Sequence, residues 1–228
     1  MNAVEVTELT VCFPGGAGPV PVVRGVSLRV ARTETLGLVG ESGSGKTMIG
    51  LSLLQLVPAP GRVTGSVIVD GHQLVGASER RLRKLRGAAA AMVFQDPMTG
   101  LNPVRTIGSQ LVESIRRHRG LAPGAARAEA LEMLRRVGIP AAQERLRAYP
   151  HLLSGGLRQR AMIALAMVNA PAVLVADEPT TALDATIQAQ LLDLLRDSAA
   201  DRALLMITHD LGVAAEICDR IAVVYAGR

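Results

Sequence analysis

The sequence predicts an α/β fold. It has a core with a mixed sheet, an antiparallel β layer towards the N-terminus, and a helical insertion at about residues 96–169. Three observations carry this. The first third is rich in short alternating stretches of strand type. A short apolar run then enters a glycine-rich loop and leaves it in a helical pattern. Further short apolar runs recur on either side of a long stretch with helical spacing.

Taken in order, Val26, Leu28 and Val30 alternate with Ser27, Arg29 and Ala31, and Val67 and Val69 flank Ile68 ahead of the turn residues Asp70-Gly71. Thr35–Val39 is a compact apolar strand, and Met48–Val57 has helical apolar spacing. Ala91–Phe94, Val173–Ala176, Leu204–Ile207 and Ile221–Tyr225 are the short apolar runs that a parallel sheet buries on both faces. Between Gln95 and Asn169 the pattern is helical. There Leu131, Leu134 and Val137 share one face, and Gly138-Ile139-Pro140 ends that helix. The expected organisation is a core made of residues 1–95 and 170–228, with residues 96–169 as a helical subdomain.

The chain has 228 residues, 49% hydrophobic and 20% charged, which suits one sizeable globular domain. Its longest apolar stretches, such as Ala88–Phe94 and Ala161–Val168, fall short of the ~20 residues a membrane span needs. The N-terminal Met1-Asn2-Ala3-Val4-Glu5 has no basic or apolar leader pattern, so nothing suggests secretion. Cys12 and Cys218 have no metal-binding spacing and are expected to be reduced, buried thiols in the cytosol. The net charge of +5 invites a nucleic-acid reading. However, the clusters at Arg80–Arg86 and Arg116–Arg119 carry almost no interleaved aromatics for base stacking, so a solvated face is expected and nucleic acid is not.

Lysine occurs only at Lys46 and Lys84, every other basic residue being arginine, so lysine is expected where a compact ammonium is needed. Lys84 sits in a basic surface run. Lys46 lies in Gly40-Glu41-Ser42-Gly43-Ser44-Gly45-Lys46-Thr47, which fits the phosphate-loop pattern G-x-x-x-x-G-K-[ST] with a strand before it and a helix after it. Such glycines let successive backbone N–H groups turn towards phosphate oxygens, with the helix's positive end behind them. Lys46 is placed to reach the β- and γ-phosphates of ATP, and the Thr47 hydroxyl to ligate Mg²⁺.

Val173-Leu174-Val175-Ala176-Asp177-Glu178 is an apolar strand ending in two carboxylates. Alone, such a pair is usually a helix cap or surface turn. Beside a phosphate loop it reads as a Walker B strand, with Asp177 holding Mg²⁺ through water and Glu178 polarising the attacking water. Just upstream stands Leu153-Ser154-Gly155-Gly156-Leu157-Arg158-Gln159-Arg160. Ser-Gly-Gly opening a helix offers a hydroxyl and free N–H groups to an anion. This run resembles the LSGGQ signature of ABC ATPases, and the resemblance covers essentially the whole chain.

The resemblance implies roles for further residues. Ser154, Gly155 and Gly156 would hold the γ-phosphate of a nucleotide bound to a second ABC ATPase domain, identical or paralogous. Gln95 resembles the Q-loop glutamine that senses Mg²⁺, and Ala182-Leu183-Asp184 the D-loop that crosses to the partner. His209, in Ile207-Thr208-His209-Asp210, resembles the switch histidine. Phe13 resembles the aromatic that stacks on adenine, with a core Phe of an early strand as the competing reading. Leu157 stands where Met or Gln is commoner, and Thr33 where Gly is usual.

Phe94-Gln95-Asp96-Pro97-Met98-Thr99-Gly100-Leu101-Asn102-Pro103 is similar to the segment after the Q-loop in oligopeptide and dipeptide importers, which commonly have Ser at the Gly100 position. Glu178-Pro179-Thr180-Thr181-Ala182-Leu183-Asp184, Thr186-Ile187-Gln188 and Tyr149-Pro150-His151 point to the same branch, which includes importers of nickel and other metal chelates. The resemblance implies transmembrane permease subunits as direct partners and an extracytoplasmic solute-binding protein as an indirect one. It also implies a peripheral location on the cytoplasmic face of the cell membrane. In the family the strand ending at Tyr225-Ala226-Gly227-Arg228 continues into further C-terminal segments, so the chain is expected to be a fragment or half of a longer protein. Soluble ABC ATPases of DNA repair or translation are the competing class; they carry long coiled-coil inserts or two cassettes, and neither pattern occurs in this sequence.

Overall fold

A computed structural model of the chain describes residues 1–16, 18–181 and 185–228. Strands β1 (Asn2–Gly15) and β2 (Gly18–Ala31) form a long antiparallel pair. To them β4 (Arg62–Val69) and the short β5 (His72–Gln73) add a sheet of order β2-β1-β4-β5. The second sheet runs β6-β7-β8-β3-β9, from β3 (Thr35–Val39), β6 (Ala90–Val93), β7 (Val173–Asp177), β8 (Ala203–Thr208) and β9 (Arg220–Val223).

Every pairing in the second sheet is parallel among the described residues, so the mixed core sheet expected from the sequence is corrected: antiparallel pairing is confined to the other sheet. The cause is connectivity, since parallel neighbours need crossover connections and here helical segments supply them. β9 also lies one residue upstream of its expected start at Ile221. Its pairing with β3 begins at Leu36–Arg220, and the Val224 N–H continues towards the Val39 carbonyl at 2.7 Å.

The parallel strands separate two hydrophobic cores by simple alternation. Val173 and Val175 of β7, with Leu205 and Ile207 of β8, pack towards the antiparallel sheet and helix α1 (Lys46–Ser52). Leu174, Ala176, Leu204 and Met206 face the opposite side, where most of the helices lie. Both faces of β3, β6, β7 and β8 are therefore dry, and these strands are largely apolar; β9, expected to be buried likewise, is instead an exposed edge strand, with Ile221 39% and Val223 70% exposed.

Between β6 and β7 come α3 (Pro97–Gly100), α4 (Ile107–Arg119), α5 (Pro123–Arg136), α6 (Ala142–Arg145), a 3₁₀ turn and α7 (Gly155–Met167). Helix α4 shows full end chemistry. The Thr106 side chain accepts from Ser109 N–H, four basic residues occupy its last turn, and Gly120 closes it in the left-handed region at φ 65°. Helix α7 buries Gln159, Arg160 and six apolar residues, and so has no solvated face over most of its length. Besides α1 and this block, the described residues include α2 (Glu79–Leu85) before β6, and α8 (Ala185–Ala199) and α9 (Leu211–Ile217) after β7.

Helix α1 is shorter than the Met48–Val57 pattern suggested. The chain tightens into i→i+3 bonds at Leu53, Leu54 and Gln55, and the Arg86 guanidinium donates to the freed Leu54 and Gln55 carbonyls at 2.8 and 2.7 Å. Leu53 and Leu54 remain buried, so the apolar spacing continues although the helix does not. Among the described residues, no helix is long and apolar enough to cross a membrane. Cys12 and Cys218 are free thiols, each only partly buried rather than buried as expected, and desolvation, reinforced by the Asp219 charge, pushes Cys218 up to about 11.

Candidate functional site

The fully buried strand β3 delivers Gly40 to the end of the parallel sheet, and the loop from Gly40 to Gly45 turns there before α1 begins at Lys46. A side chain at Gly40 has no room, since its Cβ would fall 2.1 Å from the Val224 carbonyl oxygen. Gly45 takes φ 103°, with the Val22 carbonyl oxygen 2.7 Å from where a Cβ would stand. Gly43 is also left-handed, at φ 79°, but it faces open space. The glycines thus do different work: two allow the loop to lie against other backbone, and one leaves its outer face bare.

Lys46 is 5% exposed, and its Nζ donates to the carbonyl oxygens of Gly40 at 2.7 Å and Glu41 at 2.8 Å. Glu41 and Ser42 are exposed, whereas Ser44 is buried. The loop is braced from outside by the segment after β9. Gly227 N–H donates to the Ser44 carbonyl at 3.1 Å, and Arg24 N–H to the Gly227 carbonyl at 2.7 Å. Sequence reasoning missed this brace, because nothing in Tyr225-Ala226-Gly227 announces a contact nearly two hundred residues upstream.

Strand β7, paired between β6 and β8, carries Asp177 and Glu178 to the same sheet end. Asp177 is 3% exposed, and its Oδ1 accepts from the Thr47 hydroxyl at 3.2 Å. Burial raises this carboxyl above its ordinary value and the Thr47 hydrogen bond opposes the rise; the Glu178 charge adds to it and the Lys46 charge works against it. Glu178 takes φ 43°, uncommon for a residue with a Cβ, and its N–H is tied to the Ile207 carbonyl at 2.9 Å.

The Glu178 carboxylate gathers three side chains. Oε2 accepts from Gln95 Nε2 at 3.0 Å and from the Thr181 hydroxyl at 3.1 Å, while His209 Nδ1 lies 3.2 Å from Oε1. Gln95 follows β6 and His209 follows β8, so three adjacent strands place these groups together. Thr181 is the residue here that sequence reading left without a role. Its signal was only its place three residues after Glu178, within reach across a turn.

Thr47 Oγ1, the Asp177 carboxylate and the nearby Gln95 side chain are hard oxygen donors of the kind Mg²⁺ selects. A divalent cation there would also relieve the cost of the buried Asp177 charge. The residues therefore fit the metal expected from the sequence.

Ser154, Gly155 and Gly156 stand apart. Ser154 caps α7, is exposed, and makes no side-chain capping bond; Gly155 faces open space, and Gly156 lies against Ile187, whose Cγ2 is 3.2 Å from the position of a Cβ. Among the described residues, no hydrogen bond or ion pair joins 154–156 to residues 40–47, 95, 177, 178 or 209. Asp184, with Ala182 and Leu183, lies outside the described residues. Phe13 pairs with Val20 in the β1–β2 hairpin and is half-buried. It lines a 370 Å³ pocket with Cys12, Pro14, Gly15, Gly18, Pro19, Pro60 and Arg62. The larger clefts, of 750 and 620 Å³, open among Arg80, Arg83, Arg117 and neighbouring polar residues, away from the loop.

A strand-borne glycine loop with a buried lysine, faced by a strand-end carboxylate pair, defines a protein of the phosphate-loop class. The family model for the ABC transporter matches residues 23–181, and the chain belongs to that family. It is 44% identical over 228 residues to the oligopeptide transport ATP-binding protein OppD of Bacillus subtilis (strain 168), covering 98% of this chain and 64% of that protein. To the dipeptide transport ATP-binding protein DppD of the same organism it is 48% identical over 231 residues, covering 100% and 69%. The chain thus spans about two thirds of the length of these relatives. Among solved structures, the dimeric ATP-binding cassette MJ0796, bound to ADP and Pi in a post-hydrolysis state, superposes with a TM-score of 0.86 at 28% identity, covering 98% of this chain and 95% of the other.

Proposed function

We propose that this chain binds and hydrolyses Mg-ATP as the motor of a di- or oligopeptide importer, working through partner membrane subunits. The observation that carries the reading is the convergence of Gln95, Thr181 and His209 on the Glu178 carboxylate, beside the Thr47–Asp177 pair and the Lys46 loop. In this reading Lys46 exchanges its bonds to the Gly40 and Glu41 carbonyls for phosphate oxygens, and the N–H groups around Gly43 face the same anion. Thr47, Asp177 and Gln95 hold Mg²⁺, which supplies charge neutralisation on the phosphates. Glu178 orients and deprotonates water, held in place by Gln95, Thr181 and His209. Phe13 stacks on the base.

The separation of Ser154–Gly156 from this cluster supports a composite site, in which a second cassette's Ser154 and Gly156 close over the phosphate and Asp184 crosses between chains. Residues 1–95 and 170–228 would then form the nucleotide core and 96–169 the lever that moves the membrane subunits. The chain would be peripheral on the cytoplasmic face. The relatives' names, oligopeptide and dipeptide transport ATP-binding proteins, support the peptide substrate.

The test is trans complementation. In a mixed dimer of a Ser154→Arg chain and a Lys46→Ala chain, one site inherits both lesions and the other neither. Random pairing makes about half the dimers mixed, so independent sites return about a quarter of normal hydrolysis. A mixture no more active than its separate components, with mixed ATP-trapped dimers recovered through a tag carried by only one of the two chains, would overturn the composite site. So would a monomer whose specific activity is independent of concentration.

A further inference from the structure

Gln159 lies on α7, about 7.5 Å along the helix axis from Ser154, and is only 2% exposed. A buried glutamine, here between Arg158 and Arg160, needs its polar atoms satisfied, and its Nε2 donates to the Pro179 carbonyl at 2.8 Å. Pro179 immediately follows Glu178, and among the described residues no other donor reaches that carbonyl. The link therefore pins the far side of a turn whose near side is Glu178 at φ 43°. A non-glycine residue in that region persists only when its surroundings hold it.

Two more contacts tie α7 to the segment beyond that turn. Gly156 lies against Ile187 near the start of α8, and Arg160 donates to Gln190 Oε1 at 2.6 Å and to the Val137 carbonyl at 2.6 Å. With Gln159 these hold one helix at three points, Pro179, Ile187 and Gln190. The open, uncapped end of that helix is Ser154, while the carboxylate at the pinned turn is Glu178.

We propose that Gln159 is a positioning residue that couples the Ser154 end of α7 to the Glu178 carboxylate, so that docking of a partner's nucleotide on α7 adjusts water activation in this chain's own site. The inference rests on the composite-site reading above. A push or pull of a few tenths of an ångström on α7 reaches the Pro179 carbonyl through one short hydrogen bond. The strained Glu178 backbone turns that displacement into a reorientation of the side chain.

The experiment uses the full chain with Gln159→Met, which keeps length and volume but removes the donor. Expected results are a fall in kcat of about 10- to 100-fold, since small misplacement of a reacting group is costly. KM should stay within about twofold, because the phosphate loop is untouched. Amide exchange across residues 173–181 should slow on formation of an ATP-trapped dimer in the wild type and stay unchanged in the variant. Gln159→Glu is the second arm. Only a protonated carboxyl can donate to the carbonyl, so its rate relative to wild type should climb as pH falls from about 8 to about 6. This arm also covers failure of the Met variant to fold. A variant kcat within twofold of wild type, or a Glu variant whose relative rate is flat with pH, overturns the coupling while leaving the functional reading intact. A wild-type chain that hydrolyses no ATP overturns the functional reading and the coupling together.

Discussion

Replacing Glu178 with Gln should abolish turnover while leaving the fold and nucleotide affinity in place, and the geometry says why the two separate. The carboxylate Oε2 accepts from Gln95 and Thr181 at 3.0 and 3.1 Å, and Oε1 faces His209 Nδ1 at 3.2 Å. An amide of the same shape can present its oxygen to Gln95 and Thr181, and its NH₂ to His209 Nδ1 once the ring carries its hydrogen on Nε2 instead. No buried group loses its partner, so the thermal midpoint should move by no more than about 2 °C, as for a change under 0.5 kcal/mol. In the proposed mechanism the group that is lost is the base. General-base catalysis contributes about 10²- to 10⁴-fold, or roughly 3–5 kcal/mol of transition-state stabilisation. The assay is phosphate release at saturating Mg-ATP, beside titration with a fluorescent ATP analogue and light scattering of the nucleotide-bound protein. A kcat within about threefold of wild type in a folded, nucleotide-binding variant would refute the assignment, since no base worth having would then have been removed.

Two further predictions concern binding rather than chemistry. Gly40→Ala puts a methyl 2.1 Å from the Val224 carbonyl oxygen and 3.0 Å from Ser44 Oγ, so the loop or the segment just after β9 must shift. It should lose about 1–3 kcal/mol of stability and weaken ATP binding, while Gly155→Ala, in open space, leaves the melting temperature near wild type; equal melting temperatures would contradict the packing argument. Phe13→Ala should raise the ATP concentration for half-saturation with kcat nearly unchanged, because stacking on the base is uniform binding. Collapse of folding instead would make Phe13 a core residue, as its contact with the core beside Val63 and Val57 allows.

The sequence by itself determined the parts of this protein whose chemistry needs neighbouring residues. A phosphate cradle requires glycines, a lysine and a hydroxyl within one turn, so Gly40–Thr47 declares itself in eight letters. The strand ending in Asp177-Glu178 and the Ser154-Gly155-Gly156 helix start are equally local, and the buried β strands were visible as apolar runs because both their faces are dry. Tertiary structure alone decided how these pieces act on one another. Gln95 and Glu178 meet across 83 residues only because β6 and β7 are hydrogen-bonded neighbours, and strand order is set by how crossovers pack rather than by local propensity. The same holds for Gly227 bracing the Ser44 carbonyl and for Gln159 holding Pro179. A glutamine in a helix reads as surface until its neighbours are known. What makes it a fastener is a buried carbonyl on another element that has to be satisfied, and a linear sequence does not show which carbonyl that is.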